Sequence, residues 1–149
     1  MNTANAHTIL SETARLVELT AIFQARYGKN YRITATSAND AWKLHHAILD
    51  TQHIIANLLD PQILEHPHNR YGKWWDRHDV MEASMAQQMI NEVAHLIAVV
   101  AHYEANEQDG KATWSHALTT TQSAIAGILH PTAFEVPSAL TQDVQRNAS

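Results

Sequence analysis

Cysteine is absent from the 149-residue chain. Its absence removes disulfide scaffolds, thiol nucleophiles, redox pairs and every thiolate-ligated zinc or iron-sulfur site. Glycine and proline are scarce, four of each, which excludes collagen-like, low-complexity and disordered architectures and leaves no glycine-rich loop to cradle a dinucleotide or nucleoside triphosphate. No apolar run reaches the roughly 18 residues of a membrane-spanning helix; the longest, Leu96 to Ala101, is bounded by His95 and His102. The opening MNTANAHTILSETARL has no basic segment followed by an apolar core. A soluble, cytoplasmic protein without a signal peptide is therefore expected. Positive charge is also in deficit: 10 Lys plus Arg against 15 Asp plus Glu give −5 with neutral histidines, a balance that disfavours bulk binding to nucleic acid or an anionic membrane.

Histidine, by contrast, is abundant. Protonating all 11 would carry the formal charge from −5 to +6, and histidine is the side chain whose unperturbed pKa lies closest to neutrality. A pH-responsive oligomer is one reading of that count.

The apolar pattern is helical throughout. Leu16, Leu19, Phe23 and Tyr27 recur at intervals of three and four and Gly28 follows as a stop, predicting a first helix over about 11–27. Ser37 and Asp40 resemble a capping box opening a second helix over 38–59, with Ala41, Leu44, Ile48, Ile55 and Leu59 on its core stripe and Pro61 beyond its end. An added stripe of Trp42, Leu49 and Ala56 makes this helix central or dimer-forming. Between the two lies an extended connection. Periodicity then fails from Asp60 to Asp79. Asp79 as cap, with Glu82 three residues on, predicts a third helix over 80–107 carrying Ala86, Met89, Val93, Leu96, Ile97 and Val100. After the Asp109-Gly110 turn, Trp114, Leu118, Thr121, Ile125 and Leu129 mark a fourth over 112–129, closed by His130-Pro131. An irregular tail, 131–149, offers Phe134, Val136 and Leu140 for loose packing. The expected fold is a single all-α domain over 1–149, a four-helix antiparallel bundle with a long loop between helices two and three.

Two constellations compete for function. Bundles project histidines and carboxylates inward as ligands for a divalent transition metal, and helix two offers His46, Asp50 and His53 at steps of four and three. The outer two are about 10 Å apart along the axis, which strains a shared ion. Helix three holds one Glu-x-x-His, Glu92 with His95, whereas a di-metal carboxylate centre needs two copies and two further glutamates. His78-Asp79 matches the adjacent His-Asp pair of helical metal-dependent phosphohydrolases, but Asp79 already serves as a cap. These seven residues make up the metal-enzyme or metal-carrier alternative. No Gly-x-Ser-x-Gly elbow exists and no complete catalytic set is legible.

The second constellation is the 66–78 stretch, HPHNRYGKWWDRH, where Arg70, Tyr71, Lys73, Trp74, Trp75 and Arg77 crowd together. Trp, Tyr and Arg dominate binding hot spots because they bury large areas with few rotors and keep a polar handle. Seven of the ten basic residues, Arg26, Lys29, Arg32, Lys43, Arg70, Lys73 and Arg77, lie in or beside the two long connections. In a simple up-down bundle those connections sit at opposite ends; they merge into one site for an acidic partner or nucleic acid only if the 60–78 stretch climbs the bundle. The reading that follows is a small non-enzymatic binding or regulatory protein, of inhibitor, immunity or adaptor type. It would recognise a protein partner through 66–78 and form a homodimer through helix two and the tryptophans.

Overall fold

A computed structural model describes residues 1–59, 80–105 and 111–129. Four helices account for most of them: α1 (Thr3–Tyr27), α2 (Asn39–Leu58), α3 (Ala83–Ala105) and α4 (Lys111–Leu129). No strand occurs among the described residues, and no helix there is long and apolar enough to cross a membrane. The 66–78 stretch and the 131–149 tail lie outside them.

Each helix buries a narrow stripe spaced alternately by three and four residues, the spacing that lets facing helices interlock side chains. In α1 it is Ala6, Ile9, Thr13, Leu16, Thr20 and Phe23. In α3 it is Ala86, Met89, Val93, Leu96 and Val100, and in α2 Ala41, His45, Ile48, Gln52 and Ile55, continued by Leu59 past the helix end. Leu118, Thr121, Ile125 and Leu129 supply the α4 share. Several stripe positions are polar, and their hydroxyls are satisfied at short range. Thr13 donates to the Ile9 carbonyl at 2.7 Å, Thr20 to Leu16 at 2.8 Å and Thr121 to Ala117 at 2.8 Å, so a buried threonine costs the core no orphaned group. Gln52 reaches across the bundle instead: its Nε2 donates to the Leu129 carbonyl at 2.6 Å. That bond occupies one of the carbonyls a helix C-terminus leaves without an intrahelical partner.

The helix ends differ from the sequence reading for identifiable reasons. α1 starts at Thr3 rather than near residue 11, because Asn2 caps it, accepting from the Asn5 amide at 2.8 Å, and Ala6 and Ile9 extend the buried stripe. Ser37 and Asp40 do not form a capping box. The residue at the cap is Ala38, without a side-chain bond, since Ser37 Oγ accepts from the Thr34 amide and the Tyr31 hydroxyl and Asp40 is held by Arg26 and Tyr27. α3 begins at Ala83, not 80, so Glu82 precedes the helix, and its carbonyl accepts from the Met85 and Ala86 amides; the expected cap Asp79 lies outside the described residues. α3 is described to Ala105, and the expected end at 107 lies outside the described residues.

Helix directions follow from four contacts. The start of α1 meets the end of α3, where Glu104 accepts from both the amide and the hydroxyl of Thr3. The end of α1 meets the start of α3, where Gln24 Oε1 accepts from the Ala83 amide at 3.2 Å. The end of α1 also meets the start of α2 through Arg26 and Asp40. Finally, the His102 and Trp114 rings stack at 4.5 Å and 8° between the end of α3 and the start of α4. Neighbouring helices are therefore antiparallel, as expected. The order around the bundle is α2, α1, α3, α4, with α4 meeting α2 more sparsely than the other neighbours meet. α2 and α3, at opposite corners, point the same way. Leu59 thus lies toward the opposite end of the bundle from Val80, about 30 Å being the length of a 20-residue helix such as α2.

The added stripe of α2 is covered within this chain. Leu49 is 6 % and Ala56 1 % exposed, and Trp42 is half-buried against the core. That stripe is therefore covered among the described residues, while α2 itself stands at the edge of the set, packed on α1 and only sparsely on α4.

Candidate functional site

One end of the bundle gathers the charged and aromatic residues that face outward. The last turn of α1, the 28–38 connection, the first turns of α2 and the residues leading into α3 all meet there. The turn at Gly28 makes this possible: its φ of 93°, which residues with a Cβ rarely adopt, ends α1 while its amide still donates to the Gln24 carbonyl at 2.9 Å. The connection then folds back on α1 through three rings. Phe23 and Tyr27 lie 5.0 Å apart, Tyr27 and Tyr31 5.1 Å, and Phe23 and Tyr31 5.7 Å. Ile33, 1 % exposed, anchors the far side.

Around that anchor Arg26, Lys29, Arg32 and Lys43 are exposed, set against the carboxylates of Asp40 and Glu82. Asp40 is the most tightly held. Arg26 NH1 donates to both its oxygens, at 2.9 and 2.8 Å, and the Tyr27 hydroxyl donates to Oδ2 at 2.6 Å. The Tyr27 hydrogen bond, then the guanidinium, hold its carboxyl below the usual range. The same bond, with some burial, pushes the Tyr27 phenol above its ordinary value. Lys29 and Glu82 form a looser pair, 3.9 Å apart and 62 % and 35 % exposed. Between them a cavity of about 280 Å³ opens, lined by Lys29, Asn30, Tyr31, Val80 and Glu82.

The metal alternative fares differently. His46 and Asp50 lie on the exposed outer face of α2 with His53 half-buried beside them, whereas Glu92 is half-buried and His95 exposed on α3, at the opposite corner. No three histidines or carboxylates are grouped to hold a metal ion among the described residues. His78 and Asp79 lie outside them. His46 instead stacks on Trp42, ring centres 5.8 Å apart, and His45 is 2 % exposed in the α2 core stripe.

Of the six residues expected to contact a partner, Arg70, Tyr71, Lys73, Trp74, Trp75 and Arg77, none is among the described residues. The described structure does fix where the chain after them arrives. Val80, the next described residue, lines the cavity beside Lys29. Sequence reasoning singled out Lys29 for its charge but not Asn30, Tyr31, Val80 or Glu82 as its neighbours. The available signal was local: a helix stop at Gly28 followed at once by Lys-Asn-Tyr. Comparison with family models, curated proteins and solved structures found no match to this chain.

Proposed function

We propose that this chain is a small non-enzymatic binding or regulatory protein that grips an acidic protein surface through 66–78 together with the basic end of the bundle. The observation that carries the reading is the direction of α3. Because α3 starts where α1 ends, the chain bearing Arg70, Lys73 and Arg77 enters the end that already presents Arg26, Lys29, Arg32 and Lys43. Arg77, three residues before Val80, is held within about 11 Å of it by chain length alone. A fold with α3 reversed would have brought Val80 to the other end, away from Arg26, Lys29, Arg32 and Lys43.

The chain as a whole is acidic, so such an end steers a partner by contrast with its surroundings, raising association rates in a salt-dependent way. Trp74, Trp75 and Tyr71 supply the large, low-entropy contact area that charge alone does not.

Affinity capture with the untagged chain immobilised, read by quantitative mass spectrometry, tests the proposal. An acidic protein should be retained in about 50 mM salt and largely lost at about 300 mM, where screening is stronger. Joint R70E, K73E and R77E substitution should abolish its retention, and W74A should weaken it. Capture unaffected by the triple charge reversal refutes the reading. Native mass spectrometry of the same preparation reads two further parts of the proposal: a dimer mass supports self-association, and a stoichiometric bound metal would favour the metal-protein alternative over this one.

A further inference from the structure

The cavity beside Lys29 has a chemistry of its own, distinct from a general attraction to acids. Its mouth carries one cation and one anion, with Lys29 Nζ and Glu82 Oε2 3.9 Å apart. A directly hydrogen-bonded pair closes to about 2.7–2.9 Å, so here each charge keeps capacity for another partner. Ser84 Oγ reaches Glu82 Oε2 only at 3.5 Å. The Asn30 side chain adds an amide, able both to donate and to accept. Tyr31 contributes its ring rather than its hydroxyl, because that hydroxyl is committed to Ser37 Oγ at 3.0 Å. Val80 lines the cavity with it. The walls are held from both sides: the Gln24–Ala83 hydrogen bond fixes the entry of α3 against α1, and the packing of Tyr31 on Phe23 and Tyr27 fixes the connection.

We infer that this cavity binds a free α-amino acid. Its ammonium meets Glu82, and its carboxylate meets Lys29 and the Asn30 amide. The complementarity decides the class. A simple anion would be drawn to Lys29 but repelled by Glu82, and a simple cation the reverse; a zwitterion, with opposite charges on adjacent carbons, pairs with both at once. The volume of about 280 Å³ falls just below the ~300–1,000 Å³ of cavities that hold drug-sized ligands, which suits a smaller polar molecule. The site shares Lys29 with the basic end of the partner reading but uses none of Arg70, Lys73 or Arg77, so the two are separable by substitution.

Titration of the isotope-labelled full chain with L-leucine, followed by two-dimensional amide NMR, is the test. Saturable shifts should centre on Lys29–Tyr31 and Val80–Ala83. N-acetyl-leucine and leucine amide, each missing one charge, should bind at least tenfold more weakly, as should Leu-Gly-Gly and Gly-Gly-Leu, which distinguish a free amino acid from a peptide terminus. K29M and E82Q should each weaken leucine binding at least tenfold while leaving the far-ultraviolet circular dichroism unchanged. The R70E, K73E and R77E triple variant should bind leucine as the parent does. Absence of shifts at these positions up to about 20 mM leucine, blocked or peptide forms binding as tightly as leucine, or undiminished binding by both single variants overturns the inference.

Discussion

Gln52 joins α2 to α4 by a side-chain hydrogen bond, and its replacement gives a quantitative test of how that seam is held. It is 2 % exposed, and its Nε2 lies 2.6 Å from the Leu129 carbonyl. Q52L keeps most of the volume but deletes the donor. The net value of a buried hydrogen bond is about 1 kcal/mol, and leaving the carbonyl unpaired adds about 1–3 kcal/mol, partly offset by the added apolar burial. The expected loss is about 2 kcal/mol. Q52A also opens a cavity, so about 3–4 kcal/mol is expected there. Urea unfolding followed by circular dichroism reads both; with slopes of about 1–3 kcal/mol/M, a 2 kcal/mol loss moves the midpoint by roughly 1 M. Amide exchange should rise selectively in the last turn of α4, because its carbonyl anchor is gone. A Q52L midpoint within about 0.5 kcal/mol of the parent, or a loss without faster exchange in that turn, refutes the role assigned to this bond.

Glu104 should make the α1–α3 contact acid-sensitive. The Thr3 hydroxyl, then the Thr3 amide, hold its carboxyl below the ordinary range. The associated stability is present above the unfolded value of about 4.3 and is lost as pH falls through the folded value. Urea midpoints measured from pH 6 downward should therefore fall less steeply for E104Q than for the parent; parallel curves would contradict the assignment. Leu96, fully buried in the α3 stripe, should cost about 3 kcal/mol when cut to alanine, and a loss under about 1 kcal/mol would mean that the stripe is not tightly packed. Glu12 has a buried Oε2 without a hydrogen-bond partner, so E12M should be at least as stable as the parent by the same unfolding assay. A drop beyond about 1 kcal/mol would show that this carboxylate is needed.

Much of the bundle was readable because helical burial is periodic and local. The spacing of Leu16 and Phe23, or of Met89, Val93 and Leu96, identifies one face of a helix whatever it packs against. Direction is different in kind. A stripe reads the same from either end, so nothing in the periodicity of α3 shows that it runs parallel to α2; that required the Thr3–Glu104 and Gln24–Ala83 contacts, each between residues far apart in sequence. The failed capping box has a similar cause. Ser37 and Asp40 are the right residues at the right spacing, yet Arg26, Tyr27, Tyr31 and Thr34 compete for their oxygens and win. The extra stripe of α2 was legible as apolar, but whether a second molecule or the same one covers Leu49 and Ala56 is a tertiary fact. Histidine number carries the least structural information. Residue types suited to a metal were plentiful, but His46 and Asp50 point outward from one corner and His95 from another, and ligation depends on convergence rather than count.

Topology also bears on why the 60–79 stretch is as long as it is. Two helical hairpins, α1–α2 and α3–α4, can be joined with α3 starting beside the end of α2, and then a few residues suffice. This chain instead starts α3 at the other end, so a crossover is obligatory. Covering about 30 Å needs about nine extended residues, and the segment from Leu59 to Val80 has more than twice that number. Connection alone does not account for the surplus. Nor does it account for the composition, because a linker gains nothing from two tryptophans and three cations within 70–77, whereas a contact surface does. Length, direction and composition are thus three arguments of separate physical origin for the proposed contact surface.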